Sequence, residues 1–231
     1  MDELSEKLLP CCDSAYAAFH QKLVPDTRDP VWGVRVPILR KIAREMAKNA
    51  QIDDMLALHR IDFSKNLPCY EMVMVHLLTI AYASGNLETL MERVLQSIGL
   101  IDCWGLCDSF AATLGKRLAK TAEGHEKIRF LTASSQVWTS RVGLVTALSL
   151  NGEFREDYLV FLQQQKLQTE ATAVSMGLAW LLSQYLATHQ ETVLQMLHAW
   201  RFDPLTLIRT KQKIKESRRY DRAWIRTVLD M

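Results

Sequence analysis

The chain has 231 residues, of which 48% are hydrophobic and 23% charged, and its formal net charge is +2. That length and apolar fraction suit one large domain, or at most two small ones, with a substantial core and exclude a disordered chain. No apolar run reaches the roughly 18 residues of a membrane-spanning helix. The longest, Met72 to Tyr82, is interrupted by His76, and the acidic Asp2, Glu3 and Glu6 do not read as a secretory signal. The expected compartment is the cytoplasm.

In chain order the apolar period is helical. Between Val36 and Ala47 the apolar residues at 38, 39, 42, 43, 46 and 47 make one face of a helix, with Pro37 in its first turn. Pro68 opens a second segment that ends near Gly85, and Asn86 is placed to cap Leu87 to Ser97. Gly124 reads as a break after a helix ending near Thr121. Asn151-Gly152 reads as the stop of a helix from Thr139 to Leu150, and Asp203-Pro204 as the start of another. The whole chain reads as about thirteen helices of roughly 8–18 residues with connections of about 2–6, and no strand pattern is visible. Short connections make neighbouring helices antiparallel. The expectation is an all-α protein, residues 1–231 forming a single α-solenoid of HEAT-like helical hairpins with a repeat of about 40 residues. Trp104, Trp138 and Trp180 lie 34 and 42 residues apart, near one repeat each. Such spacing puts them at comparable heights in successive hairpins, as gap-filling aromatics or as part of a site.

The five cysteines, Cys11, Cys12, Cys69, Cys103 and Cys107, force no disulfide framework. Cys103 and Cys107 share a helix face, but no second Cys/His pair with zinc-like spacing accompanies them, so they read as buried thiols. The six histidines are scattered, and none pairs with an evident nucleophile.

Three groups carry the functional pattern. In Asp102-Cys103-Trp104-Gly105-Leu106-Cys107-Asp108, Trp104 and Asp108 are one turn apart on one face. An indole beside a carboxylate suits contact with a sugar or base and stabilisation of a water or cation; a helix cap or an indole hydrogen bond is the structural alternative. In Trp138-Thr139-Ser140-Arg141, Arg141 opens an apolar stretch and needs a partner, for which Asp108 and a phosphate serve equally well. The third group, Met176 to Tyr185, is apolar nearly all round and contains Trp180.

Taken together, these groups resemble the DNA alkylation repair family, the HEAT-like alkylpurine DNA glycosylases. Trp104 and Asp108 match its Trp-x-x-x-Asp, Trp138 and Arg141 its Trp-x-x-Arg, and Trp180 and Tyr185 its Trp five residues before Tyr. Trp32-Gly33-Val34-Arg35-Val36-Pro37 looks like the family's N-terminal motif, Tyr70-Glu71 like its Tyr-Glu pair, and Lys211-Gln212-Lys213-Ile214-Lys215 like its C-terminal helix. The resemblance implies excision of cationic N3- and N7-alkylated purines from duplex DNA without flipping the damaged base into a pocket. It implies that Asp108 stabilises an oxocarbenium-like sugar and orients water, that Trp104 and Trp180 pack on the lesion's deoxyribose, and that Arg141 holds a phosphate or orients Asp108. Trp104, Asp108, Arg141 and Trp180 are expected to meet in one cleft of a monomer, with Lys211, Lys213 and Lys215 as further DNA contacts. No cofactor and no metal is implied.

Charge is distributed unevenly. Residues 209–226 carry eight basic and two acidic side chains, a local +6, which leaves −4 for the rest of the chain. Ser140 and Ser183 stand where active relatives often carry basic residues. A non-catalytic HEAT-like module that binds nucleic acid or protein is therefore the alternative expectation.

Overall fold

The computed structural model describes residues 3–48 and 69–229. Among these residues it contains thirteen α-helices and two short 3-10 turns, and no strand. The helical expectation holds; Pro68, the proposed start of one helix, lies outside the described residues. No helix among them is long and apolar enough to cross a membrane. The chain divides into two compact units, Met1–Leu114 and Gly115–Met231.

The first unit contains α1 (Glu3–Leu8), α2 (Ser14–Leu23), α3 (Val36–Lys48), α4 (Tyr70–Tyr82), α5 (Leu87–Ser97) and most of α6 (Trp104–Leu118). Helix α4 is buried on nearly every side and packs against α1, α3 and α5. The α3 pattern is resolved as expected: Leu39, Ile42 and Ala43 are buried. Two starts are fixed locally by side-chain caps, Asp13 accepting from the Tyr16 amide at 2.9 Å and Asn86 from the Thr89 amide at 2.8 Å.

One tie in this unit reaches across the sequence. The Glu71 carboxylate on α4 is fully buried (0% exposed) and accepts three backbone N–H groups of the segment before α3. Trp32 donates to Oε2 at 2.9 Å, and Gly33 and Val34 donate to Oε1 at 2.7 and 3.2 Å. Gly33 makes the turn that aims these amides: its φ is +87°, and a Cβ there would overlap the Asp13 carbonyl oxygen. The Tyr-Glu pair and the N-terminal glycine motif are thus two halves of one packing device.

His20 on α2 sits beside this device, edge-on to Tyr70 with ring centroids 4.9 Å apart. It is 6% exposed, and its buried Nδ1 has no hydrogen-bond partner among the described residues. Burial pushes its pKa below the ordinary value of about 6.5, with Glu71 pulling weakly the other way. The unfolded chain therefore binds this proton more readily than the folded one. The associated stability is fully present above about pH 6.5 and is lost as the pH falls through that value towards the folded pKa. Urea unfolding at about pH 7.5 and about pH 5.5 should show a larger fall in stability for the wild type than for His20→Phe. Equal falls in the two proteins would remove His20 as the cause.

The second unit contains α7 (Ala122–Thr132), α8 (Val137–Ala147), α9 (Glu153–Gln164), α10 (Thr172–Tyr185), α11 (Gln190–His198), α12 (Pro204–Glu216) and α13 (Arg222–Leu229). Its packing alternates: α8 lies against α10 and α10 against α12, while α7 lies against α9 and α9 against α11. Two layers of stacked hairpins result, the arrangement of an α-solenoid. Successive helices of the first layer begin 35 and 32 residues apart, shorter than the expected repeat because helices and connections are both short. Polar contacts lock the layer together. The Tyr185 hydroxyl donates to the Ala147 carbonyl at 2.5 Å, and Ser175 Oγ lies 2.7 Å from Thr206 Oγ1.

Several sequence-based boundaries shift: α6 ends at Leu118 rather than near Thr121, and α8 begins at Val137 rather than Thr139. Gly124 does not separate helices but lies in the first turn of α7, where Thr121 caps the helix by accepting from the Gly124 amide at 3.1 Å. A glycine so near a capped start costs little, and the local cap decides. Helix α8 ends at Ala147, earlier than Leu150, and Gly152, with φ +47°, caps the start of α9.

Candidate active site

In the first unit, the residues of interest sit where α6 begins. Helix α6 buries Leu106, Cys107, Phe110, Ala111 and Leu114, which leaves Trp104, Asp108 and Ala112 as an outward stripe at intervals of one turn. The pairing of Trp104 with Asp108 on one face, expected from spacing, is thus an accessible pairing: the indole is 45% exposed and Asp108 half-buried. The Trp104 ring is oriented by its own N–H, which donates to the Leu23 carbonyl at 2.9 Å. Fixing the edge this way presents the ring at a set angle.

The backbone beneath is held as firmly. A Cβ at Gly105 would stand 2.6 Å from the Tyr70 hydroxyl, so glycine lets the first turn of α6 settle onto α4. One residue before the helix, Cys103 is buried; its thiol is pushed up to about 12 by burial and stays protonated at neutral pH. Cys103 and Cys107 both pack inward. Asp102, which sequence reasoning did not single out, is a second anchor. Its Oδ2 accepts from the Arg28 amide at 2.7 Å and from Arg28 Nε at 3.1 Å. The end of α2 is therefore tied to α6 by Trp104, and the connection after it to the start of α6 by Asp102 and to α4 by Glu71. The visible signal was an acid directly beside the tryptophan motif, but its partners lie 74 residues away in sequence.

In the second unit, every residue of interest belongs to one layer: Trp138 and Arg141 on α8, Trp180 on α10, and Lys211, Lys213 and Lys215 on α12. Arg141 is 6% exposed, and its Nη1 donates to the Ala173 carbonyl at 2.7 Å in the first turn of α10. Its stem passes Gly177, where a Cβ would lie 3.5 Å from Arg141 Cγ. Trp180 is half-buried one turn further along the same helix, which packs against α8. One guanidinium nitrogen is thus committed to the backbone. Tyr185 is fully buried and serves packing.

The two serines turn to the backbone. Ser140 Oγ donates to the Thr132 carbonyl at 2.8 Å and Ser183 Oγ to the Trp180 carbonyl at 2.7 Å. The three lysines do not form one surface. Lys211 and Lys215 share a face of α12, whereas Lys213 lies about 200° around the helix and is paired with Glu216 at 3.0 Å.

Chemically, the α6 stripe offers a carboxylate beside an aromatic face, an arrangement that favours developing positive charge and can orient water. No group of three or more His, Cys, Asp or Glu side chains suited to a metal ion occurs among the described residues. A family model described as "DNA alkylation repair enzyme" matches residues 4–222. Comparison with curated proteins and with solved structures found no match to this chain.

Proposed function

The chain belongs to the DNA alkylation repair enzyme family, and from that premise we propose that it is a DNA glycosylase that hydrolyses the N-glycosidic bond of cationic N3- and N7-alkylated purines in duplex DNA. The observation that carries the proposal is the outward stripe of α6, with Asp108 one turn from an exposed, edge-anchored Trp104. A purine made cationic by alkylation leaves readily, because the glycosidic electron pair neutralises it as the bond breaks. What remains to be stabilised is the oxocarbenium-like sugar. Asp108 supplies the negative charge and orients the water that bonds to the anomeric carbon, and that water's surplus proton passes to Asp108 and then to solvent. The family resemblance assigns Trp104 and Trp180 to the deoxyribose and Arg141 to a backbone phosphate.

The test is release of 7-methylguanine or 3-methyladenine from methylated duplex DNA by the purified protein, followed chromatographically. No release above the spontaneous rate, at any enzyme concentration, would reject the glycosylase. The second reading is a non-catalytic module that binds nucleic acid or protein. It is favoured by Ser140 and Ser183, whose hydroxyls turn to backbone carbonyls and bring no positive charge to the surroundings of Arg141 and Trp180.

A further inference from the structure

The basic C-terminal segment looked, as a sequence, like a charged helix partly neutralised by Glu216 and Asp221. In the structure those two acids are engaged elsewhere. Glu216 accepts from Gln212 at 3.0 Å and pairs with Lys213 at 3.0 Å. Asp221 caps α13, accepting from the Ala223 amide at 2.8 Å and the Trp224 amide at 3.1 Å. Four arginines follow or flank them: Arg218 and Arg219 in the turn between α12 and α13, and Arg222 and Arg226 on α13. All four are exposed, and among the described residues none is in an ion pair.

Folding does not account for this charge. Arg222 opens α13, where the helix dipole disfavours a cation, and Arg222 and Arg226 are like charges one turn apart on one face. Yet the segment that carries them is packed against the rest of the unit. Tyr220 stacks on Trp224 with ring centroids 5.3 Å apart, Ile225 is buried, and the Tyr220 hydroxyl donates to the Ser183 carbonyl at 2.6 Å. Ser183 is one turn beyond Trp180 on α10. The arginine-bearing turn is therefore moored within a helical turn of Trp180, which the proposed function places at the site.

We propose that Arg218, Arg219, Arg222 and Arg226 form a clamp for the phosphate backbone of duplex DNA, fastened beside Trp180 through Tyr220. Planar guanidinium groups suit bidentate phosphate contact. Between residues 217 and 227 the large apolar side chains are half-buried or buried, so this face offers nothing to insert into a membrane surface. The choice of DNA rests on the function proposed above. The clamp would supply the positive charge that Ser140 and Ser183 do not, and would carry more of the salt-dependent affinity than Lys211, Lys213 and Lys215.

The experiment is a salt titration of full-length protein binding to unmodified duplex DNA, read by fluorescence anisotropy. Each phosphate contact contributes about 0.9 to the slope of log K against log salt. Changing all four arginines to Gln should reduce the slope by about 3–4. A fourfold Arg→Lys variant should keep most of it. Single changes, R222Q and R226Q, should each remove about 0.9 and serve if the fourfold variant folds poorly. An unchanged slope in a folded Gln variant would overturn the clamp, as would wild-type binding to phosphatidylserine vesicles but not to duplex. Base release is measured in parallel. A clamp without base release would reject the glycosylase alone, and base release with an unchanged slope would reject the clamp alone.

Discussion

Replacing Asp108 by Asn is expected to lower release of 7-methylguanine or 3-methyladenine from methylated duplex by about 100- to 1,000-fold, the usual loss when one preorganised electrostatic stabiliser is removed. That corresponds to roughly 3–4 kcal/mol of barrier. The two side chains have nearly the same shape, and Asp108 is half-buried on the outward stripe of α6, so the helix should tolerate the exchange. Asn can still hydrogen-bond a water, but it presents no negative charge to a cationic sugar. The effect should therefore fall on the chemical step. Single-turnover base release should collapse while duplex affinity and its salt slope stay near wild type, since removing a negative charge does not weaken attraction to phosphate. Circular dichroism and the thermal midpoint serve as controls. Equal single-turnover rates for the two proteins would take Asp108 out of the mechanism.

The largest stability effect is expected at Glu71. Glu71→Ala leaves three amides, those of Trp32, Gly33 and Val34, without their acceptor at a buried site. Each unsatisfied buried donor costs about 1–3 kcal/mol, so a total near 4 kcal/mol is expected if water reaches one of them. For a chain of this size that is a fall of about 8–16 °C in Tm. Glu71→Gln separates hydrogen bonding from size. Its amide oxygen can still serve Gly33 and Val34, but the NH2 group must then face the Trp32 N–H, donor against donor. An intermediate loss of about 1–3 kcal/mol should result. Denaturant unfolding of the three proteins checks the order wild type, Gln, Ala. A result within about 0.5 kcal/mol of wild type for both variants would mean the loop amides find other partners.

Whatever depends on near neighbours could be read from the chain itself. The α3 face shows in the period of its apolar residues, and the caps at Asn86 and Asp203 show because a capping side chain bonds an amide three residues on. The pairing of Trp104 with Asp108 was legible for the same reason, since a helix puts residues four apart on one face. Gly124 misled because glycine is tolerated in a first turn when a threonine caps it. Family motifs pointed to Tyr70-Glu71 and to Trp32-Gly33 separately, without the bond between them, because that bond joins residues 37–39 apart.

The sequence by itself determined the helical class, several helix boundaries, the family resemblance, and the residue types of the candidate site. Only the tertiary structure decided which of those residues face outward and what the others hold. It turned Arg141 partly to a backbone carbonyl, set Lys213 against Glu216, and tied Glu216 and Asp221 to partners other than the four arginines. The physical reason is the range of the interactions. Helical period and capping are decided within one or two turns, whereas a charge is paired or left exposed according to what folding brings beside it.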